Sequence, residues 1–512
     1  MKLDVPRVPE PALLGSGGER KAASFSIFDP SVALGEPATP RSAAAGFFPV
    51  RGAGSSSIAI LPNGEDSLAA RIQTLQKARA SIWIQALVFW GDESGLYIAE
   101  LLKAKKKELG SAIDIRIIVD AYSNLDWQTQ WMYYDLEQHG ITVQGYELFY
   151  LQWVNETPLP GDYAKYDMLQ GNKRFHDKLW IVDGETEDAV AVMGGLNIAN
   201  SYFRVDPSNP KNHWRDQDIM VKGAVVKDLV AAFGRNHADA LQIKKNRGLA
   251  DTGKHREWMK KAAKVFGVVP VPFWQKRGIK KTVRKIAARD ISNIRFEPAK
   301  CRFIHNRPRH GELHISDVYH TMIEDAGVEV LIANAYFIPS PRMIKALKIA
   351  VRKLAKVVLL SNSPETNDLP EITHVGRGYY GDILSANGEP RVAGRLAQGE
   401  PLGVEIWEWT GKGPGEAQAS EGTIHAKYAV FDRKAGIVGS FNLDPRSDNL
   451  NSETVLVFES EPLARRLAKA FYENDLAHSR KLTRKEAAGF RDPKDSLDKL
   501  RKWFGDAFKE HL

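Results

Sequence analysis

The sequence contains little cysteine and no long apolar run, and both absences limit what the protein can be. Cys301 is the single cysteine among 512 residues, so the chain cannot form an internal disulfide or a cysteine-rich zinc site. No stretch approaches the roughly 18 consecutive apolar residues of a membrane-spanning helix. The first residues also lack the basic and then apolar layout of a secretory signal. We therefore expect a protein that is cytoplasmic or peripheral at the inner membrane, and export without a signal peptide stays open.

The composition is that of a globular protein with substantial cores. Hydrophobic residues make up 43% of the chain, charged residues 26% and aromatic residues 9%. These proportions exclude a collagen-like chain and bulk disorder. At about 150 residues per domain, the length predicts two to four domains.

Positive charge is concentrated in one segment. The net charge is +8, but residues 243–289 carry 15 Lys or Arg and two acidic residues, which gives this segment +13 and the rest of the chain −5. Its aromatic residues, such as Trp258 and Trp274, suit a helix at the surface of anionic lipid. Single-stranded nucleic acid, or a solvated face with no partner, explains the same pattern.

A pattern of helix, strand, helix, strand occurs twice. Buried strands are predicted at 82–89 and 113–120 in the first half, and at 328–333 and 356–362 in the second. The leading strands begin 246 residues apart, at Ile82 and Val328. Alternating strands and helices indicate an α/β fold in which each copy is a mixed β-sheet flanked by helices.

The repeat divides the chain into five parts. We expect a flexible N-terminal arm over 1–55, a first domain over 56–242, a basic linker or surface segment over 243–310, a second domain over 311–475 and an amphipathic helical tail over 476–512.

Each copy ends in the same short motif. The first copy has His176, Lys178 and Asp183, followed by Gly194-Gly195-Leu196-Asn197. The second has His425, Lys427 and Asp432, followed by Gly439-Ser440-Phe441-Asn442. The two histidines lie 249 residues apart, which is close to the spacing of the repeat. A single match is a weak signal, but two matches at the repeat spacing are hard to ascribe to chance.

The spacing of the motif has a chemical meaning. Residues i and i+2 of a strand point to the same face, so each imidazole shares a pocket with an ammonium group. Two such pockets facing each other would place two histidines and two lysines around one point. That arrangement predicts a site for a phosphoryl group.

The paired motif resembles the signature of the phospholipase D superfamily, His-x-Lys-x4-Asp followed by Gly-Gly or Gly-Ser-x-Asn. The similarity spans about residues 58–475 and leans toward bacterial cardiolipin synthases of the C type, through Gly439–Ser447, Asn451–Glu453 and Asn334–Pro339. The resemblance implies two tandem phospholipase-D-like domains related by a pseudo-twofold axis, with one shared active site. It also implies phosphodiester exchange through a phosphohistidine, without metal or cofactor.

The resemblance assigns roles to the motif residues. His176 is the nucleophile, and His425 is the general acid that later serves as base. Lys178 and Lys427 hold the nonbridging phosphate oxygens, together with Asn197, Asn442 and the adjacent Ser440. Asp183 and Asp432 complete the catalytic signature, although we expect them to fix the loop after each strand rather than to contact substrate.

Two further acids complete the implied site. Each histidine needs an acid on its second nitrogen to select the tautomer. The resemblance pairs Glu453 with His176 and Asp218 with His425, across the domain junction.

Three functions remain open from the sequence. The first is phosphatidyl transfer or hydrolysis on glycerophospholipids at an anionic membrane surface, by a monomer and most like a cardiolipin synthase. The second is a nuclease, because the same residues cleave any accessible phosphodiester. The third is a lipid-binding protein with a vestigial site.

Overall fold

A computed structural model describes residues 24–29, 47–120, 123–124, 126–145, 173–206, 208–246, 261 and 277–490. Most of the predicted arm, the aromatic part of the basic segment and residues 491–512 of the predicted tail lie outside these ranges. None of the helices in the described ranges combines the length and the apolar character that crossing a bilayer requires.

The strands form two mixed sheets. In chain order they are β1 (Phe47–Arg51), β2 (Ser56–Leu61), β3 (Ser81–Ala86), β4 (Asp114–Val119), β5 (Thr142–Gln144), β6 (Arg174–Phe175), β7 (Leu179–Val182), β8 (Val190–Gly194), β9 (Asp218–Gly223), β10 (Glu297–Pro298), β11 (Lys300–Asn306), β12 (Glu329–Asn334), β13 (Lys356–Asn362), β14 (Gly403–Trp409), β15 (Lys427–Phe431), β16 (Ala435–Gly439), β17 (Asn451–Glu459) and β18 (Ser479–Lys481).

Helices flank both sheets. The described α-helices are Gly64–Lys77, Glu93–Leu109, Trp127–Gln138, Ala224–Asn246, Arg277–Ala287, Ile315–Asp325, Pro341–Arg352, Pro370–Leu384, Pro390–Ala397, Pro445–Asn449, Glu461–Ala470 and Arg484–Gly489. Several begin at a side-chain cap that satisfies a free backbone N–H group. Asp92 accepts from the N–H of Gly95 at the start of Glu93–Leu109, for example, and Ser340 accepts from that of Met343 at the start of Pro341–Arg352.

The two sheets repeat one strand order. The first reads β10-β2-β9-β8-β7-β3-β4-β5, and the second reads β1-β11-β17-β16-β15-β12-β13-β14-β18, with β6 attached to β17. Seven strands match in order, from β2 to β5 and from β11 to β14. The predicted α/β class, with one mixed sheet in each copy, is confirmed.

In both sheets, the same strand ends lie at the junction of the two halves. Strands β3, β4 and β5 are parallel, as are β12, β13 and β14, so the carboxyl ends of each set lie on one side of the sheet. The antiparallel strands β7 and β15 begin on that side. In folds of this kind, ligands bind beyond the carboxyl ends of the parallel strands.

One apolar core lies between the sheets. It contains Leu179 and Ile181 of the first sheet together with Tyr428 and Val430 of the second. The alternate side chains of the same strands, Trp180 and Phe431 among them, pack into two outer cores. The shared core fixes how the two halves face each other, because apolar side chains from both sheets are removed from water together.

Parts of the predicted arm and linker belong to the second half. Strand β1 pairs with β11, and β11 pairs with β17, so the second sheet takes strands from both sides of the first domain. Phe25, Ile27 and Phe28 are buried in the outer core of the second half. These segments are too short for their periodicity to reveal them in the sequence.

The last part of the basic segment forms a helix that is docked on the first half. Arg277–Ala287 buries Ile279, Val283 and Ile286 in the outer core of the first half. Lys280, Lys281, Arg284 and Lys285 of this helix face solvent. The apolar side of this helix therefore packs on the protein, and its cationic side is the exposed one.

Candidate active site

The two signature histidines lie at the junction of the two halves, each beside the carboxyl ends of the parallel strands of its own sheet. His176 stands just before β7 and His425 just before β15, and both side chains are buried. Each histidine is tied to the other half through its backbone. The N–H of His176 donates to the carbonyl of Ser452 at 3.0 Å, and the N–H of His425 donates to that of Arg215 at 2.7 Å. Each half therefore positions the histidine of its partner.

Each histidine ring also binds a carboxylate from the opposite half. Nδ1 of His176 lies 2.7 Å from both carboxylate oxygens of Glu453. Nδ1 of His425 lies 2.7 Å from Oδ2 of Asp216. With Nδ1 engaged, Nε2 is the nitrogen that can act on phosphorus or on an alcohol oxygen.

The acid beside His425 differs from the one that the sequence indicated. Asp218 binds Arg71 at 2.8 Å and Ser67 at 2.6 Å instead, and is fully buried. Strand register explains the correction: Gly194 pairs with Asp218, whereas its counterpart Gly439 pairs with Val455. Two residues before each partner stand Asp216 and Glu453, which are therefore equivalent.

The environment of Glu453 is polar and fully buried. Ser440 donates to one carboxylate oxygen at 2.5 Å and Ser447 to the other at 2.8 Å, with Asn451 at 3.3 Å. Burial raises the pKa of Glu453 to about 8, against the opposing charge of Lys178. Ser440 thus contacts the acid that holds the first histidine.

Asp216 is the more acidic of the two carboxylates. Burial raises its pKa to about 6, against the opposing charge of Lys427. Its Oδ1 accepts from the backbone N–H of Gln217 at 2.7 Å. At neutral pH, Asp216 is therefore ionised, which favours a protonated ring at His425.

The two lysines are buried beside the histidines. Nζ of Lys178 donates to the carbonyl of His176 at 2.7 Å, and Nζ of Lys427 lies 3.0 Å from Nδ1 of His425. Burial lowers the pKa of Lys178 to about 7 and that of Lys427 to about 8. Burial and the lysine charges together hold the pKa of both histidines well below the ordinary value. Two desolvated lysines next to the imidazoles suit an anionic substrate, whose negative charge stabilises the protonated form of these side chains.

The two asparagines after the Gly-Gly and Gly-Ser elements are also buried near the histidines. Oδ1 of Asn197 accepts from the N–H of Val88 at 3.1 Å, and its Nδ2 donates to the hydroxyl of Tyr202 at 2.9 Å. Tyr202 thus accepts one of the two amide hydrogens of Asn197. Oδ1 of Asn442 is buried without a partner among the described residues.

The two signature aspartates lie away from the histidines. Asp183 accepts from three successive backbone N–H groups, those of Arg79, Ala80 and Ser81. Asp432 does the same before β12, where it caps the N–H groups of residues 327–329. Both have a φ of 51°, a left-handed conformation that Asp tolerates better than most residues. Both carboxylates therefore hold the backbone at the start of a leading strand, β3 or β12.

The residue between His and Lys differs in the two halves. Asp177 is buried and accepts from Gln85 and Asn236, each at 3.0 Å, and lies 3.3 Å from Nε2 of His305. Ala426 occupies the same position in the second half. The polar network behind His176 therefore has no counterpart behind His425 at this position.

Aromatic rings surround His425, and the sequence analysis did not identify them. Their centroids lie 5.2 Å (Tyr202), 5.5 Å (Trp214) and 6.4 Å (Tyr336) from that of the imidazole. A ring carries no motif of its own, but Trp214 stands two residues before Asp216. Aligning the two halves by strand register identifies Asp216 as the equivalent of Glu453, and Trp214 is then found next to it in the sequence.

Comparison with known proteins agrees with the paired arrangement. The family described as "Cardiolipin synthase, PLD-like domain" matches residues 71–218 and 319–475. A probable cardiolipin synthase of Bacillus subtilis, YwiE, is 24% identical over 84% of this chain and 67% of its own length. Cardiolipin synthase C of Escherichia coli is 24% identical over 80% of this chain and 82% of its own length.

A solved structure shares the fold across both halves. The crystal structure of phosphatidylserine synthase from Haemophilus influenzae matches with a TM-score of 0.57 and 15% identity, over 91% of this chain and 97% of that one. The family match covers more than half of the chain and includes both signatures. The chain therefore belongs to the cardiolipin synthase, PLD-like domain family and is an enzyme of the phospholipase D type.

Proposed function

We propose that this enzyme transfers a phosphatidyl group between glycerophospholipids, most like a cardiolipin synthase, through a phosphohistidine on His176. The observation that carries the proposal is the crossed pairing of histidines and acids. Each imidazole has its Nδ1 on a buried carboxylate of the opposite half, and two buried lysines lie beside the rings. The names of the relatives support a phospholipid substrate.

In the first step, Nε2 of His176 attacks the phosphorus of the donor lipid. A nitrogen–phosphorus bond forms as the bond to the headgroup oxygen breaks, and His425 donates a proton to that oxygen. Protonation is needed because an alkoxide is a poor leaving group at neutral pH. Lys178 and Lys427 stabilise the negative charge of the transition state.

In the second step, an acceptor hydroxyl gives its proton to His425 and attacks phosphorus. The bond to His176 breaks, and the enzyme returns to its starting state. With phosphatidylglycerol as both donor and acceptor, the products are cardiolipin and glycerol. With water as acceptor, the product is phosphatidic acid.

We place this reaction at an anionic membrane surface, with the enzyme bound peripherally at the cytoplasmic face. The exposed cations of Arg277–Ala287, which include Lys280, Lys281, Arg284 and Lys285, support attraction to such a surface. Each basic residue near anionic lipid contributes about 1 kcal/mol. A monomer suffices, because one chain supplies both halves of the site.

The test uses purified full-length protein and phosphatidylglycerol vesicles, with lipid products resolved by mass spectrometry. Cardiolipin and glycerol that disappear in His176→Ala support the proposal. The matched control is His139→Ala, a half-exposed histidine that follows the helix Trp127–Gln138 as its C-cap. Phosphatidic acid as the sole product would show that the enzyme hydrolyses the phospholipid instead of transferring the phosphatidyl group. Unchanged lipid, with His176-dependent cutting of an oligonucleotide, would refute a lipid substrate in favour of a nuclease.

A further inference from the structure

A buried carboxylate adjoins the first signature histidine in the chain and has no part in the proposed chemistry. Asp177 follows His176 and is fully buried. Its Oδ2 accepts from Gln85 and from Asn236, each at 3.0 Å. The hydroxyl of Ser452 in β17 donates to the same oxygen. Side chains of both halves therefore converge on this one acid.

His305 of β11 completes the surroundings of the carboxylate. Its Nε2 lies 3.3 Å from Oδ1 of Asp177. Its Nδ1 lies 3.1 Å from the guanidinium of Arg235, which can only donate, so Nε2 is a ring nitrogen that carries a proton. Burial raises the pKa of Asp177, but the groups that face it, His305 and Ser452 among them, bring that pKa below its ordinary value. The carboxyl group is therefore ionised although it is buried.

Asp177 is the more persistent negative charge on the first side of the site. Burial raises the pKa of Glu453 to about 8, so this acid loses its charge more readily than Asp177 does. On the second side, Asp216 has a pKa of about 6, and Ala426 occupies the position of Asp177. Each side thus has an acid that is charged at neutral pH, and the two sides place it differently.

Asp177 reaches the first histidine through Ser452. The carbonyl of Ser452 accepts from the N–H of His176 at 3.0 Å, while its hydroxyl is bonded to Asp177. The counterpart of Ser452, also one residue before the acid, is Arg215. Its carbonyl holds the other histidine, and its guanidinium binds the buried Asp475 at 2.7 Å. Each residue that holds a histidine through the backbone is thus anchored by a buried acid.

The charge of Asp177 acts on the groups that attack and bind phosphorus. Burial lowers the pKa of His176 and lowers that of Lys178 to about 7, and Asp177 opposes the shift in both. The other charged groups that face these two side chains are Glu453, Asp216, Lys427 and Arg446. When Nε2 of His176 bonds to phosphorus, the ring gains a positive charge, which a nearby negative charge stabilises.

We propose that Asp177 is a positioning residue for His176. Through Ser452 it fixes the backbone that holds the nucleophile, and its charge offsets the positive charge that the imidazole gains on bonding to phosphorus. This inference rests on the proposed function, in which His176 forms the phosphohistidine. Asp177 itself contacts neither the substrate nor the reacting atoms.

The experiment follows the first step alone. The donor is a short-chain phosphatidyl-p-nitrophenol, whose leaving group needs no proton from His425, and its release by full-length protein gives kcat/KM as a function of pH. Asp177→Asn should lower the maximum of kcat/KM about tenfold, because the nucleophile is held less firmly. The alkaline limb should also move to lower pH, because Lys178 loses a negative charge that keeps it protonated. The position of a limb does not depend on the fraction of protein that is folded.

A second variant separates the bond from the charge. Ser452→Ala removes the hydroxyl and keeps the charge of Asp177, so kcat/KM should fall about fivefold while the alkaline limb stays in place. The control is Asp228→Asn, a buried acid of the first half that pairs with Arg51 at 2.9 Å. It removes the same charge elsewhere and should leave the limb where the wild type has it.

An alkaline limb at the wild-type pH in Asp177→Asn would overturn the proposal, as would an equal shift in Asp228→Asn. Wild-type kinetics in Ser452→Ala would overturn the link through the backbone, and this variant decides alone if Asp177→Asn does not fold. A wild type that releases no p-nitrophenol, or release that persists in His176→Ala, would instead overturn the proposed function.

Discussion

The two sides of the active site share one scaffold but differ in the groups that surround the histidine. On the first side, the acid is Glu453 and a buried network centred on Asp177 lies behind the strand. On the second side, the acid is Asp216, three aromatic rings enclose the imidazole, and Asp368 stands nearby. The repeat supplies equivalent positions, and the side chains around them differentiate the two roles.

The largest effect should distinguish the two histidines. His176→Ala should reduce turnover about 10⁴-fold or more, because no group remains to form the covalent bond. His425→Ala should reduce turnover strongly but still allow the phosphoryl-enzyme to form from a donor whose leaving group needs no proton. Mass spectrometry of the intact protein after acid-free quenching measures the adduct. An adduct in His176→Ala would reverse the assigned roles.

The next largest effect should separate Asp216 from its neighbour Asp218. Asp216→Asn should lower kcat about 100-fold or more with little change in folding, because the imidazolium of His425 loses its counter-charge. Asp218→Asn should instead lower the free energy of unfolding by about 3 to 5 kcal/mol, since it breaks the buried pair with Arg71. Kinetics and thermal unfolding of both variants check this. Equal kinetic losses in the two folded variants would contradict the assignment.

The pH dependence of kcat/KM should reflect the ionisation of groups on both sides of the site. Below a pKa of about 6, Asp216 loses its charge, so the rate should fall toward acid. Above pKa values of about 7 for Lys178 and about 8 for Lys427, the lysines lose theirs, so phosphate binding should weaken toward alkali. We expect a bell-shaped profile of kcat/KM with its maximum between these limits. The acid limb should flatten in Asp216→Asn, and an unchanged limb would exclude Asp216 as its origin.

The smallest effect on the chemistry should come from the signature aspartates. Asp183→Ala and Asp432→Ala should each lower the free energy of unfolding by about 1 to 3 kcal/mol, because buried N–H groups lose their acceptor. Denaturant unfolding measures this. Asp188→Ala, an exposed acid in the same turn as Asp183, is the control. If either variant lost its activity while keeping wild-type stability, the capping role would be refuted.

The sequence was sufficient for the features that repeat in sequence. The paired motifs and the sheet class follow from two copies of one pattern, and the contact between Glu453 and His176 follows from the family resemblance. Asp216 did not follow, because both the turn between β7 and β8 and the connection between β8 and β9 are longer than their counterparts in the second half, so counting from the histidines loses register. Strands contributed by distant segments, such as β1, were also hidden, since a single short strand has no period to detect.

The crossed backbone bonds at His176 and His425 have a consequence for how this molecule could diverge. In a symmetric dimer of one shorter chain, any substitution beside one histidine would appear beside the other as well. Joining both copies in a single polypeptide removes that constraint and makes assembly of the site independent of protein concentration. Asp177 opposite Ala426, and Val88 opposite Tyr336, are differences that a symmetric dimer of identical chains could not hold. Within one chain, the surroundings of each histidine can therefore change independently of those of the other.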